Sequence, residues 1–588
     1  MRKRLLCILL VLLFILTLLL SNETALASSY FGSSLLLYIV TLAAVFTLII
    51  YAAASAKIAK LEITTMDIAL IAFGGYLILS AMLHSDTSFW NDKLLRSFFL
   101  IIAYVLARSL SSHVHFTNTF LITVVVVGLM CSLHGVIQYL STTHNKNAWL
   151  AIKGTFGNSA LYACFLAATL PSSYCLRIQK QIKYAAVVNK LAYLNIVTSI
   201  LMLVVTNSRA AMIAGIMSVI FVLSKRQNLL KQKAFWIITL LMILFSSLFF
   251  ISIKPNSLKG RMLVWNVSAM MCKESPITGL GIGQYAHRYN DYQAAYFAAN
   301  NTSEYKILAS NTYYAFNEYI EVLVEEGAIG LALILTVIVV SLLRVEKKSD
   351  MLLICYQSTV LTILTFALFS YPFSNTEIGL MLTISLAFQS GQYSPIVFKR
   401  EIPTKTVRLF FVVLILITTM ALFYTGRRFM AMKAWQRAYN MIGEEKTKEA
   451  LKTYEQVFSE LQDHGEFLFN YGAELSEARM YRKSIFILNI AKQYFNHIDL
   501  YIFLGRSYEG AGDYKEAERC YRYASLMIPN RFVPKYLLAK LYIREGDTVK
   551  AIETAKEILN TQVKVRSSIV TGIRKEMEDF ISVQKPSL

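Results

Sequence analysis

KPNSLKGRMLVWNVSAMMCKESPITGLGIGQY (254–285) and NTYYAFNEYIEVLVEEGAIG (311–330) lie in one polar interruption between long apolar runs. A connection of this length between membrane spans is uncommon unless it functions or is disordered. Its aromatic residues, its glycines and Pro276 read as a folded loop, not a solvated tether. The loop, 254–318, reads as a lid and as part of an active site, with the rest of the chain spanning the bilayer beneath it or hanging beside it.

Working outward, composition sets the class. Hydrophobic residues make up 56% of the 588 and charged ones 16%, and apolar runs of span length recur, which is a polytopic membrane protein. The net charge of +21 would suggest nucleic acid in a soluble protein. Here much of it sits in short loops between spans, so it reads as a topology signal and no nucleic-acid partner is expected. The 7 cysteines are scattered without ligand spacing, so neither a disulfide framework nor a metal site follows, and no cofactor is expected.

Met1–Arg4 is basic and Leu5–Leu20 apolar, followed by ALA at 25–27, so this segment is a cleaved signal or, as favoured here, a first span. Further apolar runs centre on 31–54, 66–83, 94–110, 118–139, 160–176, 187–206, 210–223, 234–253, 319–343, 351–371, 374–389 and 407–425. The expected fold is an all-α membrane bundle of about 12–13 spans. Its parts are N-terminal spans (1–60), a main membrane domain (61–425) with the 254–318 loop, and a soluble C-terminal domain (426–588). Lys and Arg fix the orientation. With a cytoplasmic N-terminus, the inside loops carry Lys57 and Lys60, then Arg177, Lys180 and Lys183, then Lys225, Arg226, Lys231 and Lys233. Arg344, Lys347 and Lys348 follow, then Lys399, Arg400, Lys405 and Arg408, while the short outside loops carry few basic residues: Lys93, Lys146, Lys153 and Arg209. The large loop, KGTFGNS (153–159), TNSRA (206–210) and YPFSNTE (371–377) then share the outer face.

Beyond Arg427 the chain turns soluble and amphipathic. Ala450, Ser484, Ala517 and Ala551 recur at spacings of 34, 33 and 34 residues, and GDYKEA (512–517) matches GDTVKA (546–551). This is the pattern of a tetratricopeptide-like α-solenoid of three to four helix pairs, a generic surface for a protein partner. An odd span count leaves it outside the cytoplasm.

Four groups carry candidate chemistry. Arg209 stands at the mouth of a span, among small residues that allow close helix approach. Arg261 and Trp265 are one helical turn apart, so a guanidinium that can bind phosphate through two parallel bonds shares a face with an indole that can stack on a sugar or isoprenoid. The GLGIG run (279–283), with Gly281 at its centre, lets backbone approach a ligand closely, although no strand precedes it and no Lys-Ser/Thr follows it as in a nucleotide loop. Glu318, Glu321 and Glu325 fall on one helical face at the mouth of the next span, where a carboxylate either acts as a base or pairs with Arg209 or Arg261.

GTFGNSALYACFLAATLP (154–171), TNSRA, RMLVWNVSAMMCKESPITGLGIGQY (261–285) and FNEYIEVLVEEGAIG (316–330), in that order between those spans, resemble the O-antigen ligase and polymerase superfamily over roughly residues 60–390. The resemblance implies a metal-independent, inverting enzyme at the outer face of a bacterial inner membrane. Such an enzyme moves a glycan from an undecaprenyl-pyrophosphate carrier to lipid A core, to another glycan repeat or to a protein hydroxyl, with the lipid tails in a groove between spans. It implies that Arg209 and Arg261 hold the pyrophosphate, with Trp265, Asn158, Asn317 and Gly281 lining the substrate site. One position departs from the family. Members commonly carry a histidine base beside the loop asparagine, but Phe316 precedes Asn317 and no histidine occurs from Tyr305 to Glu326. Glu318 is the expected replacement base, with His287, the sole histidine of the loop, as its rival. Two other classes remain: a flippase or transporter of lipid-linked glycan, against which stands the absence of an internal duplication, and a non-catalytic membrane scaffold.

Overall fold

The computed structural model describes residues 59–84, 92–111, 114–142, 152–178, 184–227, 255–300, 304–343 and 350–584. The spans expected at 5–20, 31–54 and 234–253, and nearly all of the expected 1–60 segment, lie outside the described residues.

A strand, β1 (Ala59–Thr64), leads into α1 (Thr65–Leu83), α2 (Asp92–Leu110), α3 (Val114–Thr142), α4 (Ser159–Ile178), α5 (Ala185–Val205) and α6 (Arg209–Gln227). The large loop supplies α7 (Pro255–Glu274) and α8 (Gln284–Ala299), and the chain continues as α9 (Glu318–Leu342), α10 (Met351–Ala367), α11 (Thr376–Tyr393), β2 (Ile396–Ile402) and α12 (Thr404–Gly443). Eight shorter helices follow: α13 (Thr447–Leu461), α14 (Gly465–Glu477), α15 (Tyr481–Ala491), α16 (Ile498–Gly510), α17 (Tyr514–Met527), α18 (Phe532–Glu545), α19 (Thr548–Asn560) and α20 (Ser568–Gln584).

The protein is an all-α, multi-pass membrane protein. Among the described residues, 5 helices are long and apolar enough to cross a membrane: Thr65–Leu83, Phe116–Ser141, Ser159–Ile178, Ala185–Val205 and Glu318–Leu342. The runs expected at 94–110 and 210–223 are helical too, but α2 starts with Asp92 and Lys93 and carries Arg96 and Arg108, and α6 runs from Arg209 to Lys225 and Arg226. One feature was not legible in the hydropathy: β1 and β2 pair antiparallel, with Leu61 opposite Arg400 and Ile63 opposite Phe398. The β-branched Ile396–Val397 run suits an extended conformation.

The described chain forms two compact units. The first takes the described residues within 59–227, 277–282 and 316–429; the second takes those within 255–276, 283–315 and 430–584. In the first unit, α4 is the central helix, packed against α3, α5, α6 and α10. Its neighbours are joined by buried polar groups: Asn195 on α5 donates to Thr169 (3.1 Å) and Ser173 (2.8 Å) on α4, and Ser132 on α3 bonds Thr198 on α5 at 2.7 Å. Such hydrogen bonds specify helix pairing where lipid removes the hydrophobic drive to associate.

In the second unit, successive helices from α14 to α19 pack on their sequence neighbours. Ala450, Ser484, Ala517 and Ala551 each take the fourth position of α13, α15, α17 and α19, and all four are 0% exposed. At Gly472 and Gly505 in α14 and α16, an added Cβ would sit 2.5 Å from Leu488 and from Tyr521 of the following helix. The small-residue period of the sequence is thus a packing requirement, with one close helix approach per pair.

Candidate active site

The first unit assembles its polar site around the start of α9. Phe316 adopts a left-handed backbone (φ 52°), and Asn317 then caps the helix, its side-chain oxygen accepting from the amides of Tyr319 (3.0 Å) and Ile320 (3.2 Å). An asparagine cap of this kind stabilises a helix by about 1 kcal/mol. Glu318, 2% exposed, accepts a 2.6 Å hydrogen bond from the Phe373 amide, in the short turn Pro372–Ser374. The same turn is reached from α4: Asn158 donates to the Tyr371 hydroxyl at 2.7 Å, and its own oxygen accepts from the Ala160 amide at 2.7 Å. Phe316 packs edge-on against Tyr371, with ring centroids 5.6 Å apart. Asn158, Phe316–Asn317, Glu318 and the YPFSN turn are therefore one cluster.

One turn further along α9, Glu321 and Glu325 meet a cation. The Lys93 ammonium, from the first turn of α2, lies 2.9 Å from Glu321 and 2.6 Å from Glu325. From sequence alone, Arg209 or Arg261 is the expected partner for these carboxylates, and Lys93 counts as a charge of a short outside loop. The signal was present, because Lys93 heads an apolar run, the same position that drew attention to Arg209. Arg209 itself is half-buried as the first residue of α6, following Asn207 in a left-handed conformation (φ 49°).

The GLGIG run has a definite job in this unit. Within α9, Gly327 is non-helical (φ 67°, ψ −167°), which takes the amides of the following residues away from the carbonyls they would normally reach. Residues 277–282 fill the gap: Leu280 donates to the Val324 carbonyl and Gly281 to the Glu325 carbonyl, each at 2.9 Å, and Ile329 donates back to Ile277 at 3.2 Å. Tyr76 on α1 ties the crossing together by donating to the carbonyls of Glu326 (2.8 Å) and Thr278 (3.2 Å). The Gly281 amide is thus engaged with α9.

Arg261, Trp265 and His287 belong to the second unit. Arg261 and Trp265 lie one turn apart on α7, as their spacing predicts, and the Trp265 indole donates to the Ala315 carbonyl at 3.1 Å. Ser268 on α7 bonds the Tyr285 hydroxyl at 2.8 Å, joining α7 to α8. His287 is partly buried on α8, and burial pushes its imidazole down to about 4, so it is neutral at physiological pH and a weak proton acceptor.

Residues 194–335 match the family model for O-antigen ligase. The chain carries an O-antigen ligase family domain. That stretch holds Arg209, Arg261, Trp265, Gly281, His287, Asn317 and, on α9, Glu318, Glu321 and Glu325; Lys93, Asn158 and Tyr371 lie outside it. A glycan-handling function of the ligase and polymerase type follows, with a lipid-linked glycan and an acceptor as the general substrates. A search of curated proteins finds no match to the chain.

Proposed function

We propose that the protein is a glycosyltransferase that moves a glycan from an undecaprenyl-pyrophosphate carrier to an acceptor hydroxyl at the outer face of the bacterial inner membrane, with the large loop and the C-terminal helices extracytoplasmic. The acceptor hydroxyl attacks the anomeric carbon opposite the leaving group, the bond from that carbon to the pyrophosphate oxygen breaks, and the anomer inverts. Arg209 and Arg261 take up the charge growing on the pyrophosphate, as the family resemblance implies, so positioning and charge neutralisation supply the catalysis without a metal. Glu318 accepts the acceptor's proton. The observation that carries this reading is the Glu318 carboxylate itself. It is fixed by the Phe373 amide at the mouth of α9, inside the family-matched stretch, and among the described residues its second oxygen accepts no further hydrogen bond. His287, held neutral by burial, is the weaker base.

The C-terminal array, with its period of small buried residues, is read as tetratricopeptide-like. Lipid A core, a glycan repeat and a protein hydroxyl are the acceptors to be distinguished. The test is glycan transfer in purified membranes with donor binding measured separately. Glu318→Gln is expected to bind donor normally and lose turnover by roughly two to four orders of magnitude, the contribution of a general base; His287→Ala is expected to retain it. Normal turnover by Glu318→Gln would remove Glu318 from the chemistry.

A further inference from the structure

The turn beside Glu318 presents the backbone of one residue outward. Within Tyr371–Asn375, the Ser374 amide and hydroxyl both donate to the Tyr371 carbonyl (3.3 and 2.7 Å), and the Asn375 amide donates to the Pro372 carbonyl at 3.2 Å. Pro372 has no amide hydrogen to give, and the Asn375 side chain caps α11, accepting from the Ile378 amide at 3.0 Å. Phe373 is used differently: its amide and its carbonyl both reach out of the turn. The amide donates to Glu318 at 2.6 Å, and the carbonyl accepts from Arg96 Nη1 on α2 at 3.2 Å. The Phe373 ring packs against a buried cluster that includes Met66, Val360 and Leu364. Apolar contact therefore sets the place of this residue, while a carboxylate and a guanidinium orient the two peptide groups that flank its Cα.

Arg96 reaches this turn because α2 and α11 lie side by side and run in the same direction. Arg96 meets Phe373 just ahead of α11, and one turn on Leu100 faces Gly379, where an added Cβ would stand 3.1 Å from Leu100 Cδ1. At the far end of the pair Arg108 donates to the Ser390 hydroxyl at 3.0 Å. Three residues before Arg96, Lys93 binds Glu321 and Glu325, so the two cations share a face of α2. Glu318 thus stands between two supports with one origin. Its own helix is tied to Lys93, and the turn that fixes its carboxylate is tied to Arg96. Both cations lie outside the family-matched stretch.

We propose that Arg96 is a positioning residue of the transfer reaction, acting through the Phe373 backbone to hold the Glu318 carboxylate where it meets the acceptor hydroxyl. The inference rests on the reading of Glu318 as the base. A guanidinium suits the task, because its bond to a carbonyl is charge-assisted and its charge does not titrate. Without it the peptide group after Phe373 loses its outside partner, the amide that grips Glu318 shifts, and the carboxylate leaves its place. A misplacement of about 1 Å at a reacting group costs about a hundredfold in rate. Arg96 carries no proton in this scheme; the acceptor's proton passes to Glu318.

The experiment uses the full-length protein in proteoliposomes, with undecaprenyl-pyrophosphate-linked glycan extracted from native membranes as donor and the acceptor fraction of the same membranes. Arg96→Met is expected to lower kcat by about tenfold to a hundredfold, the range that a charge-assisted hydrogen bond carries, with donor KM unchanged. Arg96→Lys, which still donates to the Phe373 carbonyl, is expected to recover most of that loss. In a Glu318→Gln background, Arg96→Met is expected to lower the residual rate by less than about twofold, because a residue that acts through Glu318 then has nothing left to position. A merely structural role would give the same loss in both backgrounds. Should Arg96→Met fail to accumulate, Arg96→Gln takes its place in the same cycle. Equal losses in the two backgrounds, a raised donor KM, or a lysine variant no better than methionine overturns the proposal. Full turnover by Glu318→Gln overturns instead the reading of Glu318 as the base, and a wild-type protein that transfers nothing overturns the transfer reading.

Discussion

Substituting alanine for Gly279 tests the glycine crossing that shapes the head of α9. Gly279 has φ 76°, and a Cβ there would stand 2.2 Å from the Glu325 carbonyl oxygen and 2.5 Å from the Glu326 amide nitrogen. These are backbone atoms, so no side-chain rotation relieves the contact, and residues 277–282 must lift from the helix. The left-handed conformation costs an alanine about 1–2 kcal/mol. The lost bonds from Leu280 and Gly281 cost about 1 kcal/mol each, so Gly279→Ala should destabilise the first unit by about 3–4 kcal/mol. Gly75, on α1 of the same unit, is the control. Nothing lies within 4 Å of a Cβ built there, and alanine should be neutral or stabilise the helix by up to about 1 kcal/mol. Both variants can be heated in detergent and the surviving monodisperse fraction read by size-exclusion fluorescence. A Gly279→Ala protein as heat-resistant as Gly75→Ala would refute the clamp and return the GLGIG run to the list of candidate ligand loops.

Three further outcomes are expected. Arg209→Lys should accumulate normally yet lose transfer by about tenfold to a hundredfold, because an ammonium cannot reproduce the two parallel bonds of a guanidinium; wild-type transfer would reduce Arg209 to an interfacial anchor. Lys93→Met leaves Glu321 and Glu325 without their ammonium and should cost about 2–4 kcal/mol, with Lys93→Arg largely restoring stability in the same heating assay. His287 falls from 6.5 to about 4 on folding, so the unfolded chain binds the extra proton between those values. Stability is full above the unfolded value and should decline by about 3 kcal/mol as pH drops through that window, partly offset by Asp291, whose carboxyl burial raises. Denaturation followed by tryptophan fluorescence in wild type and His287→Gln checks the slope, which the variant should lack.

Membrane class, the helical character of the described runs and the period of the array were legible because each rests on a local pattern: apolar length, or a small residue at one helix position. The helix bearing Arg261 and Trp265 was legible for the same reason. What escaped depends on contacts distant in sequence. Lys93 is separated from Glu321 by more than two hundred positions, and nothing in either neighbourhood names the other. The pairing of β1 with β2 joins residues about as far apart as the described membrane helices allow. Glycine spacing points to a close approach of backbone, and in the structure the Leu280 and Gly281 amides meet the carbonyl row of α9, a partner that the spacing alone does not name.

The same distinction explains why the loop could be read as folded but not as part of a larger unit. Its folded character follows from composition, since aromatic-rich chains collapse where charged ones stay solvated. Its docking depends on Asn290, Gln293, Asn496 and Asn530, amide side chains that in sequence look like ordinary surface polar residues. Because they bind main-chain carbonyls, the residues they recognise need show no complementary charge or hydrophobic pattern. An interface of this kind leaves no signature in either partner alone. It tolerates side-chain change along Lys306–Ala309 but not a shift of backbone register, so a one-residue deletion in that segment should disturb the loop more than any substitution of its exposed side chains.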